Sequence, residues 1–329
     1  MENDKRPMPV CEIMGVNIAV TDMEKTVRCV EEHLEDWRGE YICVANVHTT
    51  VTAHDDPTYL EVQNGAVLAL PDGGPLSQYS RRKGFVDAAR VTGPDLMKEM
   101  LRESAQKHYR HYFYGSTPET LDILRRTITE NYPGALIAGM FSPPFRPLTP
   151  AEDAAAVAAI NEAHPDFVWV GLGAPKQERW MAHHQGAVHA LMIGVGAAFD
   201  YEAGNIRRAP LWMQRCNLEW LYRLLQDPRR LFMRYFVTNA KFLWWTWRHW
   251  SINKKPGHPC GCPGSYLRLF LGEGILAQAA DRANPIGGNI FPGSAGGDAI
   301  VGITDGGIIL IATGASILFH SKTLLLFIN

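Results

Sequence analysis

The sequence predicts an α/β fold in which a mostly parallel sheet carries helices on both faces. Between about residues 12 and 205, short apolar runs alternate with amphipathic stretches, which is the pattern of repeated strand–helix units. The apolar runs have no polar face, as expected for strands that are buried on both sides. Hydrophobic residues make up 46% of the 329 residues and charged residues 20%, so most of the chain is expected to fold.

The elements follow one another along the chain as apolar runs and capped helices. Helix starts are marked by Thr21-Asp22, by Pro118 after a glycine turn, and by a T-P-A-E-D sequence that begins at Thr149. The predicted strands cover residues 13–20, 41–46, 65–70, 111–114, 135–138, 167–172 and 189–195. The predicted helices cover residues 22–35, 95–107, 118–131, 149–163 and 175–184.

The composition changes near residue 209 and again at Pro256, so we predict three parts. These are an α/β domain at 1–209, a basic and aromatic helical appendage at 210–255, and a Gly/Ala/Ile-rich tail of unknown role at 256–329. The formal net charge of −2 does not indicate a nucleic-acid-binding protein. The appendage, in contrast, is strongly basic, which predicts a contact with something anionic.

The basic appendage also has the composition of a membrane surface segment. Arg223, Arg230 and Arg234 are spaced so that they can share one helix face. Four of the nine tryptophans follow at positions 244, 245, 247 and 250. This combination suits phosphate groups at a membrane surface. The alternative is an amphipathic helix that packs on the domain and keeps its charges in water.

Several common sites and signals are missing from the sequence. The sequence shows no secretory signal pattern and no apolar run long enough to span a bilayer. Its scattered cysteines are typical of reduced thiols, so we expect a cytoplasmic protein. No G-x-G-x-x-G follows the first strand, and neither a P-loop nor a D-x-D motif occurs. The single C-x-C at 260–262 lacks a second ligand pair. We therefore expect no cofactor and no metal.

Polar and small residues gather where the predicted strands end, which is the edge at which open α/β sheets bind ligands. A carboxylate at Asp72 can accept a proton from a substrate hydroxyl if it faces this crevice. A turn-forming aspartate fits the P-D-G sequence equally well, and for His48 a plain position at a helix start is the alternative. The candidate residues at the strand exits are Asn46, His48, Asp72, Gly73, Gly115, Gln177 and Glu178.

Seven motifs, taken in order, resemble the WecG/TagA/CpsF family, also called family 26 glycosyltransferases. They are VANVH (44–48), PDGGP (71–75), RVTGPDL (90–96), FYGSTPE (113–119), VGLGAPKQERW (170–180), GVGAAFDYEAGNIRRAP (194–210) and LEWLYRLLQDPRRLFMRY (218–235). Each motif alone is modest, but seven in the right order are specific. The resemblance covers about residues 12–250.

The resemblance implies a Rossmann-like fold and an inverting, metal-independent transfer from a UDP-sugar to a polyprenyl-diphosphate-linked sugar. The donor would carry N-acetylmannosamine or a related sugar, and the enzyme would sit peripherally on the inner face of the bacterial plasma membrane. Asp72 matches the family's proposed base, and Asn46 and Gln177 match its sugar and nucleotide pocket. The arginines of the appendage would meet the diphosphates. The resemblance leaves open whether the protein forms a homo-oligomer.

Two positions depart from the family pattern beside the donor pocket. Many members have Thr at the position of Val44 and Glu at the position of His48. These changes predict a donor sugar that differs from N-acetylmannosamine, or else a catalytically inactive nucleotide-sugar-binding or scaffold protein. A nucleotide-binding oxidoreductase is disfavoured by the missing dinucleotide fingerprint.

Overall fold

The computed structural model describes residues 7–215 and 217–252, and separately four strand segments between residues 300 and 328. The side chains at 215, 230 and 250–252 lie outside the described part, as do the predicted C-x-C pair and most of the tail. Three of the cysteines expected to be reduced, at 11, 29 and 43, are free and buried. Cys216 is outside the described residues.

The chain begins with an antiparallel hairpin, so the prediction of one strand over residues 13–20 is wrong. Strands β1 (Val10–Ile13) and β2 (Val16–Ala19) pair with each other across Met14 and Gly15. Both turn residues have positive φ, at 54° and 89°. A Met-Gly turn does not stand out from an apolar run, which explains why the sequence pattern reads as continuous.

The main sheet has six strands, and every neighbouring pair is parallel, in the order β4-β3-β8-β7-β5-β6. This confirms the predicted α/β architecture. Its core is built by large side chains from the central strands, including the fully buried Phe113, Phe167 and Trp169. Burying one such ring contributes about 1.5–3 kcal/mol relative to leaving it in water. The strands are β3 (Tyr41–Ala45), β4 (Leu68–Pro71), β5 (Arg110–Gly115), β6 (Leu136–Phe141), β7 (Phe167–Gly171) and β8 (Leu191–Gly194).

The helices between these strands include the five predicted ones and several more. Helices α2 and α3 were not predicted because their apolar residues do not form a clear stripe. Helix α4 was not predicted because only Leu76 and Tyr79 mark its apolar face, and its buried Ser77, Gln78 and Ser80 are polar. The first nine are α1 (Met23–His33), α2 (Val47–Asp55), α3 (Pro57–Gly65), α4 (Gly74–Arg82), α5 (Gly93–Lys107), α6 (Pro118–Asn131), α7 (Pro150–Glu162), α8 (Lys176–His183) and α9 (Ala198–Glu202).

The long helical pattern over 211–250 consists of three helices, α10 (Leu211–Arg215), α11 (Glu219–Gln226) and α12 (Pro228–Ile252). The last of these packs against α2 and is held there by an ion pair of 2.5 Å between Lys241 and Asp55. On the same helix, Trp245 contacts the ring of Tyr79 from α4. Within the described residues, no helix combines the length and apolarity needed to cross a bilayer.

The four strand segments near the C-terminus form a sheet of their own. It is antiparallel, in the order β12-β11-β10-β9. The predicted Gly/Ala/Ile-rich tail contains an apolar run over residues 307–319, and this run coincides with the central pair of the sheet. The strands are β9 (Ile300–Thr304), β10 (Gly307–Ala312), β11 (Ala315–His320) and β12 (Thr323–Ile328).

Candidate active site

A cleft of about 530 Å³ opens at the carboxyl ends of the parallel strands. One wall is formed by the residues that follow β3, β4, β5, β7 and β8, and the other by side chains of α11 and α12. The single crevice expected from the strand exits is therefore present. The predicted site residues that line it are Asn46, His48, Asp72, Gly73, Gln177, Glu178, Arg223 and Arg234.

Asp72 lies in this cleft directly after β4. Its backbone N–H donates to the carbonyls of Ala45 at 2.8 Å and Leu70 at 3.1 Å, which fixes the turn against the neighbouring strand. Burial raises the pKa of the carboxyl from 3.8 to about 6, and the charge of Arg90 opposes this rise. A carboxylate with this pKa is mostly ionised at neutral pH and can still accept a proton.

Asn46 caps α2 and contacts Asp72 at the same time. Its side-chain oxygen accepts hydrogen bonds from the N–H groups of His48 at 3.0 Å and Thr49 at 3.2 Å. The hydroxyl of Thr49 closes a capping box by accepting from the Asn46 N–H at 2.9 Å. The Asn46 side chain also hydrogen-bonds Asp72, which lowers the pKa of that carboxyl. The helix cap thus holds the amide next to the candidate base.

His48 brings an unsatisfied polar atom to the cleft wall. Its Nδ1 is buried and has no hydrogen-bond partner among the described residues. Burial, with a smaller contribution from the positive charge of Arg234, lowers the pKa of the ring to about 4. The ring is therefore neutral at pH 7 and can pair with a polar group of a ligand.

Gln177, in the first turn of α8, connects the loops that follow β7 and β8. Its side-chain oxygen accepts from the N–H groups of Gly173 and Gly196, each at 3.1 Å, and its amide donates to Glu178 at 2.9 Å. Glu178 is fully buried, and burial raises the pKa of its carboxyl. A hydrogen bond with the Tyr59 side chain opposes this rise. Gln177 thus shapes the cleft and holds the buried carboxyl of Glu178.

The two predicted glycines have different structural roles. Gly73 is the N-cap of α4 and lines the cleft. Gly115 does not line it; its φ of +125° and a virtual Cβ only 2.6 Å from the Gly171 carbonyl show that close packing requires glycine there. The next two residues, Ser116 and Thr117, reach the cleft instead.

The predicted arginines come from the helices that form the second wall. Arg223 lies 5.6 Å from the centre of the Tyr201 ring and makes no ion pair within residues 7–215 and 217–252. Arg234 lies close enough to His48 and Glu178 to affect the pKa of both. Arg230 is on α12, but its side chain lies outside the described residues.

A group of charged residues that the sequence analysis did not single out closes one end of the cleft. Arg90 pairs with Glu219 at 2.7 Å, and Arg208 binds both Glu219 and Asp95. The N–H of Val91 donates to the Pro71 carbonyl, which sets Arg90 beside Asp72. The signal that could have found Arg90 is its place at the start of the R-V-T-G-P-D-L motif.

The described residues contain one group that could hold a metal ion, formed by Asp153, His183 and His184. None of these three residues lines the cleft. The positively charged side chains that line the cleft within the described part of the chain are arginines, among them Arg90, Arg223 and Arg234.

Comparison with known proteins gives a consistent set of relatives. The profile of the "Glycosyl transferase WecG/TagA/CpsF family" matches residues 11–256, a span that contains every residue lining the cleft. A protein of Bacillus subtilis (strain 168), named N-acetylglucosaminyldiphosphoundecaprenol N-acetyl-beta-D-mannosaminyltransferase, is 34% identical over 204 residues. That alignment covers 61% of this chain and 77% of the relative.

Two further relatives carry the same name. The protein from Bacillus spizizenii is 30% identical over 225 residues, covering 68% of this chain and 85% of the relative. The protein from Staphylococcus aureus (strain MW2) is 29% identical over 223 residues, covering 67% and 86%. The similarity therefore includes most of each relative, and not only one motif.

Proposed function

The chain belongs to the WecG/TagA/CpsF glycosyltransferase family, and from this premise we propose that it moves an N-acetylmannosamine-like sugar from a UDP-sugar to a polyprenyl-diphosphate-linked amino sugar. Such a step builds a bacterial cell-envelope polysaccharide. The names of the relatives support the type of acceptor and transferred sugar. The observation that carries the proposal is the partly buried carboxyl of Asp72, which faces a cleft rich in arginine.

In the proposed reaction, Asp72 acts as the general base. Its carboxylate takes the proton of the acceptor hydroxyl while the hydroxyl oxygen forms a bond to the anomeric carbon of the donor. The bond from that carbon to the UDP oxygen breaks, and UDP leaves with the electron pair. Attack from the side opposite to UDP inverts the anomeric centre. A base whose pKa lies near the working pH suits this proton transfer.

The departing diphosphate needs positive charge, and we assign this role to the arginines of the second wall. Arg223 stacks over the Tyr201 ring and makes no ion pair within the described residues, and its charge interacts with Asp72 and Glu219 across the cleft. Arg234 adds a second positive charge to the same wall. Guanidinium groups bind phosphate oxygens in a two-pronged geometry. With these groups in place, transfer is expected to proceed without a divalent metal.

The donor sugar is proposed to lie against Asn46, His48 and Glu178. The buried Nδ1 of neutral His48 needs a polar partner that the described residues do not provide. Leaving a buried polar group unpaired costs about 1–3 kcal/mol, so a sugar that satisfies it is favoured over one that does not. His48 is thus a candidate for selecting among N-acetylated sugars.

The outer face of α12 is proposed to rest on the membrane surface where the lipid-linked acceptor lies. Phe242 and Thr246 of this helix are buried, whereas Trp244 and Trp247 are 58% and 53% exposed. The guanidinium of Arg248 stacks over Trp244 at 5.4 Å. Tryptophan beside arginine is typical of surfaces that contact lipid headgroups.

A donor screen tests the proposal. The full chain is incubated with a polyprenyl-diphosphate-linked N-acetylglucosamine acceptor, a panel of UDP-sugars and EDTA. The products are then identified by mass spectrometry. We expect one added sugar with an N-acetylated donor. No product with any donor, from protein that still binds UDP, would overturn the enzymatic proposal in favour of a binding protein.

A further inference from the structure

Three potential metal ligands meet on the outer side of the fold, away from the cleft. Asp153 lies in the first turn of α7, and His183 and His184 lie at the end of α8. Their ligand atoms all lie within 4.8 Å of one another. His184 is 5% exposed, Asp153 is partly buried, and His183 is exposed. The group therefore has a buried member and one side open to water.

The ring of His184 faces an acceptor at each of its two nitrogens. Its Nδ1 lies 2.8 Å from the carbonyl oxygen of Trp180, and its Nε2 lies 2.9 Å from a carboxylate oxygen of Asp153. A neutral imidazole has only one N–H to donate. Since a carbonyl oxygen cannot donate, the Nδ1 proton belongs to the contact with Trp180. The position between Nε2 and the carboxylate oxygen can then hold either a proton or a metal ion.

We propose that Asp153, His183 and His184 bind one divalent transition-metal ion of the zinc class, with water in the remaining position. Histidine with carboxylate is a ligand set for zinc, nickel or cobalt, whereas magnesium and calcium take oxygen ligands. Zinc bonds to nitrogen and oxygen of about 2.0–2.1 Å imply a separation of roughly 3.3 Å between two ligand atoms in tetrahedral geometry. The Nε2–Oδ2 distance of 2.9 Å needs only a small expansion.

The surroundings of His184 support a ligand role. A histidine that binds metal usually donates its other N–H to a carbonyl or carboxylate, which orients the ring. The Trp180 carbonyl fills this role for His184. The Trp180 ring also stacks on His184, with the ring centres 4.3 Å apart, and on Tyr114 at 4.4 Å. His183 is exposed, so its ring can turn to complete the site.

A metal here would fasten the start of α7 to the end of α8. The opposite end of α8 carries Gln177, which braces the loops after β7 and β8. The metal would therefore stabilise the helix that shapes the cleft, without taking part in sugar transfer. This inference does not rest on the proposed function, because it concerns residues outside the cleft.

The test is metal binding by the untagged full chain after exhaustive chelation. Zn²⁺ binding is measured by calorimetry, and Co²⁺ binding by its visible absorption bands. A site of two histidines and one carboxylate gives these bands without the intense near-ultraviolet band of cobalt–thiolate bonds. The Co²⁺ spectrum thus separates this site from any contribution of Cys260 and Cys262.

Three variants each remove one ligand: Asp153→Asn, His183→Ala and His184→Gln. His183 is exposed, so its variant is expected to fold normally. His189→Gln, at another exposed histidine, is the matched control. We expect each ligand variant to lose about a hundredfold or more in Zn²⁺ affinity, and the control to stay near the parent. Zn²⁺ at roughly a hundred times its Kd should raise the parent's Tm by about 5 °C or more.

Two outcomes would overturn the proposal. One is that the three ligand variants bind Zn²⁺ as tightly as the parent and the control. The other is that Zn²⁺ leaves the parent's Tm unchanged while His184→Gln lowers Tm with and without metal. That second result would mean that His184 stabilises the fold through its contacts with Asp153 and Trp180, with no metal between them.

Discussion

Replacing Asp72 with Asn separates its two possible roles, because only a general base needs the carboxylate for turnover. Asn has nearly the same shape and still suits a turn, but it cannot accept the proton of the acceptor hydroxyl. Loss of a general base lowers turnover by about 10²–10⁴, equivalent to about 2.7–5.4 kcal/mol. We therefore expect Asp72→Asn to fold and to be nearly inactive.

The magnitude of the stability change follows from the pKa of the carboxyl. Burial raises this pKa from 3.8 to about 6, so ionising Asp72 is harder in the folded chain than in the unfolded one. At pH 7 the folded state carries a penalty of up to about 3 kcal/mol, which solvent in the open cleft reduces to about 1–2 kcal/mol. The penalty sets in as the pH rises from about 4 to about 6, and neutral Asn avoids it. The variant's Tm should rise by about 2–8 °C at pH 7.

The assay combines turnover with thermal unfolding at pH 7 and at about pH 4.5, where Asp72 is protonated and the gain in Tm should shrink. Asp87→Asn is the matched control, because Asp87 is exposed and pairs with Lys25 only at the surface. Its turnover and Tm should match those of the parent. Turnover of Asp72→Asn within about tenfold of the parent would refute the reasoning. Near-parental turnover of a folded Asp72→Asn variant would point to a turn residue instead, because Asn also suits a turn.

Two further variants test the two proposed roles of the appendage, which are diphosphate binding and membrane contact. Arg223→Gln should lower turnover by roughly a hundredfold or more, because it removes positive charge from the proposed diphosphate site, and steady-state kinetics with Arg229→Gln as an exposed control checks this. Unchanged kinetics would remove Arg223 from that role. Replacing Trp244 and Trp247 together with Ser should weaken sedimentation with anionic liposomes while leaving the fold intact, since both rings are more than half exposed. Full liposome binding by this double variant would contradict the proposed membrane face.

The sequence predicted the sheet better than the helices that surround the site. Strands β3, β7 and β8 are uniformly apolar runs, and such runs indicate buried parallel strands in almost any context. Strand β5 is buried from His111 onward and has an aromatic centre, Tyr112 to Tyr114. Helix α4 was missed because it is short and has only two large apolar residues, Leu76 and Tyr79, while its buried Ser77, Gln78 and Ser80 read as a polar loop. The first hairpin was missed because its turn contains Met14 instead of a typical turn residue.

At the site, residues next to a strand end could be found from sequence, whereas those defined by tertiary contact could not. Asp72 and Asn46 follow apolar runs, and the strand-exit rule is enough to select them. Arg90 and Glu219 meet across 129 positions of sequence, and only the folded chain shows that they pair beside Asp72. The same limit applies to Gln177, which lines the cleft but uses its side-chain oxygen to join two loops.

The pH dependence of kcat/KM tests most directly whether ionised Asp72 drives sugar transfer. It would be measured between about pH 4.5 and 8 for the parent with the lipid-linked acceptor and its preferred UDP-sugar. Since the base must be ionised, we predict a rate that rises with pH through an apparent pKa of about 6 and then levels off. A flat profile across this range, or the same rising limb in Asp72→Asn, would contradict the account.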